Sequence, residues 1–119
     1  MKKQLDMLVE FHTKFKAWEM WNIPKNLPQD RAQFRHALMK EEIDEYLEWT
    51  QEWDKVNIAK ELCDALITVY GTIVEHNMQD VIEECFDEVH RSNMSKDYSE
   101  LKMIKWENYS PADLSNIIK

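Results

Sequence analysis

The run Lys40-Glu41-Glu42-Ile43-Asp44-Glu45-Tyr46, answered further along by Glu61-Leu62-Cys63-Asp64, holds the residues best able to do chemistry. In helical form each stretch presents carboxylates one turn apart, Glu42 with Glu45 and Glu61 with Asp64. Two such helices facing each other make an acidic cage of oxygen ligands, the donor type that Mg²⁺ and Mn²⁺ prefer. Cations held there can clamp phosphate oxygens, lower the pKa of a water and neutralise a leaving group, which suits hydrolysis of a phosphoanhydride. A di-iron centre is disfavoured: that class uses Glu-x-x-His, and none of His12, His36, His76 or His90 has a glutamate three residues before it.

Whether the cage forms depends on which helix faces the carboxylates occupy. Asp30 is a plausible N-cap for a helix in which Phe34, Leu38, Glu42, Glu45 and Trp49 share one narrow stripe at about 100° per residue. Glu42 and Glu45 thus fall on the core-facing side with Glu41 at its edge, while Lys40, Asp44 and Glu48 point elsewhere. Unpaired buried carboxylates are expensive, so these two are expected to coordinate something. A short polar link, with Asp54 or Asn57 as the next cap, leads into an antiparallel helix running to about His76. Its apolar face comprises Ile58, Leu62, Ala65, Val69, Thr72 and Ile73, with Glu61 inside that face and Asp64 on its flank. Gly71 in mid-helix implies close approach of a neighbouring helix, and Asn77 can end the helix in a left-handed conformation.

Two further helices complete the pattern. Leu5, Leu8, Val9, Phe11, Phe15, Trp18 and Trp21 recur at helical spacing in a first helix from about Leu5 to Met20, before Pro24 and Pro28 open a loop. Val81, Ile82, Cys85, Phe86 and Val89 mark a last helix over about Met78 to Arg91, after which the periodicity fades into an extended tail. The expectation is a single all-α domain over residues 1–119, an antiparallel four-helix bundle. A single glycine and a charged fraction of 32% agree with helices rather than strands.

Composition excludes several functions. A formal net charge of -8 argues against nucleic acid, whose backbone is bound by clustered Lys and Arg. Cys63 and Cys85 show no zinc-ligand spacing and read as reduced, buried thiols. No stretch approaches the ~18 apolar residues of a membrane span, and Met1-Lys2-Lys3-Gln4-Leu5-Asp6 does not open a signal peptide, so a cytoplasmic protein is expected.

Glu41-Glu42-Ile43-Asp44-Glu45 followed by Glu61-Leu62-Cys63-Asp64 resembles the EExxE…ExxD signature of the all-α nucleoside triphosphate pyrophosphohydrolase superfamily, the MazG-like enzymes. The run from Phe86 through Val89-His90-Arg91-Ser92-Asn93-Met94-Ser95-Lys96 is similar to the motif after the last core helix in the phosphoribosyl-ATP pyrophosphohydrolase-like branch. The resemblance implies hydrolysis of an NTP or dNTP at the α-β anhydride, giving monophosphate and pyrophosphate, with two or three Mg²⁺ or Mn²⁺ ions per site. It implies Glu42, Glu45, Glu61 and Asp64 as metal ligands, and Glu41 either as a further ligand or as the group that orients and deprotonates the attacking water. Asn93 and Lys96 match positions near the phosphates, Arg91 is a third candidate there, and Lys96 can also assist catalysis by stabilising developing charge. His12, Phe15 and Trp18 are candidates for the nucleobase side.

Bland roles compete for several of these residues. Trp18, Trp21, Trp49 and Trp53 suit a core or subunit interface, Arg91 can simply pair at a helix end, and Lys40 and Lys60 can balance the adjacent acids. So many large aromatics in a small bundle predict a homodimer, or a homotetramer as in some relatives. The competing function is a non-catalytic helical module that keeps the fold and uses its acidic face for a partner or a regulatory cation.

Overall fold

The computed structural model describes residues 1–15, 24–98, 103–104 and 109–118, which fall into two units, Met1–Met78 and Gln79–Lys119. Among the described residues the architecture is all-α, with four helices in the expected order. In the first unit α1 (Lys2–Lys14) and α2 (Gln29–Gln51) both pack against α3 (Lys55–Glu75). α1 buries Leu5, Leu8 and His12, one face of a helical repeat. Its expected continuation to Met20, with Trp18, lies outside the described residues.

α2 begins at Gln29 after Pro28, so Asp30 is not the cap but sits in the first turn, where its charge favours the positive helix end. The inward face of α2 is rotated from the expected stripe. Arg35 is its buried residue, and Phe34, expected in the core, is 48% exposed. α2 and α3 are antiparallel across a three-residue link, Glu52-Trp53-Asp54, in which Trp53 takes a φ of 56°. Asp54 caps α3: its Oδ1 accepts from the amides of Val56 and Asn57, each at 3.1 Å, and those bonds hold its pKa below the usual value. On α3 the buried positions are Glu61, Ala65, Gly71, Val74 and Glu75, whereas Leu62, Cys63 and Val69, expected inside, are exposed, since α1 and α2 cover only part of the helix. The helix ends at His76 and Asn77, the latter with φ 57° as its side chain allows. Lys25 N donates to His76 O at 2.9 Å, pinning the preceding loop to this end.

In the second unit α4 spans Ile82–Met94, beginning four residues later and ending three later than its periodicity predicts. The left-handed Asn77 and the turns over 79–81 consume the expected first turn. Glu83 and Glu84 stand in the first turn and Arg91 in the last, matching the helix dipole. The tail carries a two-residue antiparallel ladder that no periodicity announced, β1 (Asp97–Tyr98) with β2 (Met103–Ile104), pairing Asp97 with Ile104 and Tyr98 with Met103. Residues beyond Tyr109 return to α4. Ser110 N donates to Ser95 Oγ at 2.7 Å, Arg91 Nη2 reaches Pro111 O at 3.1 Å, and Asp113 N donates to Glu88 Oε1 at 3.2 Å.

Candidate active site

α2 and α3 bring Glu42, Glu45 and Glu61 together. Each offers a carboxylate oxygen, and the three lie within 4.8 Å of one another. Glu61 is buried and the other two are half-buried. Glu42 Oε2 and Glu61 Oε2 are shielded from solvent and accept no hydrogen bond. Burial, then the charge of Asp64, raises the pKa of Glu42. Glu45 is pushed up to about 7, first by its hydrogen bond with Glu61 and then by burial and the charge of Glu42. In this form the cluster relieves its repulsion by holding a proton. Two donor-free buried oxygens beside a third carboxylate make a donor set that fits a hard divalent cation.

The remaining acidic residues are differently placed. Asp64, half-buried one turn past Glu61, is outside the three clustered oxygens and pairs through Oδ2 with Lys60 Nζ at 2.8 Å. The same ammonium is 3.4 Å from Glu61 Oε1, so Lys60 balances both acids, and its pKa is raised by these bonds, that to Asp64 foremost. Glu41 is exposed and lines an open polar hollow with Lys40, Asp44, Glu45 and Glu48.

At the other end of the same helix pair lies a network that the apolar periodicity did not reveal. Glu75, 4% exposed, takes Arg31 Nε at 2.6 Å on Oε1 and Arg31 Nη2 at 3.1 Å on Oε2, while Arg35 Nε stands 3.0 Å from Oε2. Arg35 also donates to Thr72 Oγ1 at 3.0 Å and Thr68 O at 2.8 Å. His12, a candidate for the nucleobase, is buried against this network, and desolvation, then the charge of Arg35, lowers its pKa and keeps it neutral. Gly71 explains the closeness. A Cβ there would stand 2.6 Å from Arg35 Nη2 and 3.1 Å from His12 Nε2, so the glycine admits two side chains rather than a helix backbone. The available signal was the Arg31/Arg35 spacing on one arm of a hairpin, mirrored by Glu75 and a mid-helix glycine on the other. Phe15 is exposed and stacks in a tilted contact on Phe11, at 5.0 Å between ring centroids. Trp18 lies outside the described residues.

The three phosphate-side candidates belong to the second unit. Asn93 is exposed in the last turn of α4, and Lys96 lies just past its end with Nζ 5.9 Å from the Tyr109 ring centroid. Arg91 makes a two-pronged ion pair with Glu88, at 2.9 and 2.7 Å, and donates to the tail carbonyls.

A family model described as phosphoribosyl-ATP pyrophosphohydrolase matches residues 8–93, a span that includes both acidic motifs. No curated protein matches the chain. The chain belongs to the phosphoribosyl-ATP pyrophosphohydrolase family, within the MazG-like nucleotide pyrophosphohydrolase superfamily.

Proposed function

We propose that this family member is a divalent-metal-dependent pyrophosphohydrolase of nucleoside triphosphates, hydrolysing an NTP or dNTP at the α-β anhydride to the monophosphate and pyrophosphate. The observation that carries the reading is the donor-free pair Glu42 Oε2 and Glu61 Oε2 within a cluster of three carboxylates. Charges arranged in this way weaken the fold, and a cation is the partner that repays them. Glu42, Glu45 and Glu61 would hold it, with Asp64 joining on release of Lys60. Mg²⁺ or Mn²⁺ supplies charge neutralisation of the phosphates and activation of water when bound. Glu41, exposed and lining a hollow that it shares with Glu45, would take a proton from water or hold a further ion. For Asn93 and Lys96 the reading rests on the resemblance of the run over residues 86–96 alone, which implies a role in stabilising charge that develops on the departing pyrophosphate. Arg91 is engaged with Glu88 and the tail, which favours holding the tail over binding phosphate.

The test is pyrophosphate release from a panel of NTPs, dNTPs and phosphoribosyl-ATP with Mg²⁺ and Mn²⁺. Turnover of a triphosphate that is lost in Glu61→Gln supports the reading. Turnover of phosphoribosyl-ATP alone would move the substrate to the one for which the family is described. Nucleotide binding without turnover on any of them would favour the non-catalytic module. We also propose homodimerisation. A groove of about 310 Å³ between α1 and α3, lined by Met7, Phe11, Leu66, Ile67 and Tyr70 among others, is the apolar surface a second copy would cover. A monodisperse monomer by mass in solution at micromolar concentration would overturn this. Among the described residues no helix is long and apolar enough to cross a membrane.

A further inference from the structure

We propose that Arg35 is a positioning residue: held across Gly71 by Glu75, Thr72 and Thr68, it sets the register of α2 on α3 and thereby the geometry of the Glu42-Glu45-Glu61 cluster. The proposal rests on the reading of that cluster as a cation site. Arg35 is the buried residue of α2, while Leu38, Met39, Tyr46 and Trp49 are half-buried and Phe34, Ile43 and Leu47 are exposed. The most enclosed contact of this helix is therefore a directed one. The planar guanidinium touches α3 at positions 68, 72 and 75, which spread along two of its turns. A slip of one residue, about 1.5 Å along and 100° around the axis, would break all three. The carboxylates have no cationic partner of comparable reach among the described residues, Lys60 being their one ammonium and lying on α3 itself, so they do not tie α2 to α3 as the guanidinium does.

The distances along the chain make the two sites rungs of one ladder. Seven residues separate Arg35 from Glu42 on α2, and seven separate Glu61 from Thr68 on α3, about 10 Å in each case. An error of register at the guanidinium is therefore transmitted directly to the oxygens that must converge. Gly71 belongs to the same device. A Cβ at 2.6 Å from Nη2 would displace a buried guanidinium already fixed by hydrogen bonds, so the group cannot swing aside without losing them.

The test is Mn²⁺ binding to the full chain without nucleotide, followed by electron paramagnetic resonance and calorimetry. Arg35→Met, which keeps much of the volume and removes the directed contacts, is expected to weaken Mn²⁺ binding about ten-fold or more while the helical spectrum survives. Gly71→Ala should do likewise, and the double variant should bind no worse than either single, because both act through one guanidinium. Thr72→Val removes a single acceptor and serves if the larger changes do not fold; a weakening of about two-fold or more is expected. Folded variants that bind Mn²⁺ with wild-type affinity, or that melt lower while keeping the full Mn²⁺-induced rise in Tm, would overturn the positioning role and leave the metal reading intact. A wild-type chain without Mn²⁺ affinity would overturn the metal reading and this inference with it.

Discussion

At the Arg31–Arg35 end of the α2–α3 pair one carboxylate meets two guanidiniums; at the Glu42–Glu45 end three carboxylates meet one another. The helices, the degree of enclosure and the residue type at the centre are alike, since Glu75 and Glu61 are both buried. The charge balance is not. Glu75 has donors on both oxygens, whereas Glu61 leaves Oε2 without one and has a single, more distant ammonium on Oε1. Charges that the fold neutralises from within serve register and specificity. Charges that it leaves unneutralised weaken it, and on the proposed reading a cation completes them. On that reading the same acidic side chain is a fastening at one end and a cation site at the other.

Isosteric amidation tests that contrast, because Glu→Gln should act in opposite senses at the two ends. Glu61→Gln and Glu42→Gln are expected to lower pyrophosphate release by on the order of 10²–10³-fold or more. The Tm of the chelator-treated protein should be unchanged or raised, because a like charge has gone. Glu75→Gln is expected to destabilise by about 3 kcal/mol, the low end for breaking a buried ion pair, since Arg31 is 36% exposed and the amide oxygen still accepts. Urea unfolding measures it. Equal destabilisation by both kinds of substitution would erase the distinction between the ends.

The pH dependence sharpens the contrast further. Glu45 has a folded pKa of about 7 against an ordinary 4.5, and that of Glu42 is raised as well. Between these values the folded chain holds protons that the unfolded chain releases. The stability they contribute is complete below the unfolded pKa and is lost as pH rises through the folded one. His12 works against this, because its lowered pKa removes stability as pH falls below about 6.5. The difference between wild type and Glu45→Gln isolates the cluster. In chelator, the Tm of wild type should fall relative to the variant from about pH 5 to about pH 8, and Mg²⁺ should restore it at the upper end. A difference that stays flat with pH would show that the cluster does not hold its charge in this way.

Much of this was legible in the sequence, and what was not has a physical reason. Glu42, Glu45 and Glu61 were readable because helical periodicity alone places carboxylates on a face that apolar neighbours define. Asn77 and Asp54 were readable because few residues suit a left-handed position or an N-cap. The inside position of Arg35 was not, since a polar residue leaves no mark in an apolar pattern, and its presence rotates α2 enough to expose Phe34. The partners of Arg35 lie on another helix, at a register that only the folded pair supplies. Likewise the return of the tail to α4 rests largely on backbone groups of Ser110, Pro111 and Asp113, for which side-chain identity carries little signal.

A last and smaller contrast lies in how α3 is bracketed. Both of its ends meet a residue in left-handed conformation, Asn77 beyond the Glu75 end at φ 57° and Trp53 at the carboxylate end at φ 56°. Asparagine tolerates that backbone, whereas a bulky L-residue is strained there by roughly 1–2 kcal/mol. Trp53 is 90% exposed, so its ring recovers little of that strain through packing. Trp53→Asn is therefore expected to stabilise the chain by about 1 kcal/mol, a rise in Tm of roughly 4 °C, with pyrophosphate release unchanged. Asn77→Ala, at the other end, should cost about as much as Trp53→Asn gains. A gain in Tm with lost turnover would mean that the strain at Trp53 serves the carboxylates nearest to it, so that the end of the pair left unneutralised in charge is also the end left strained in backbone.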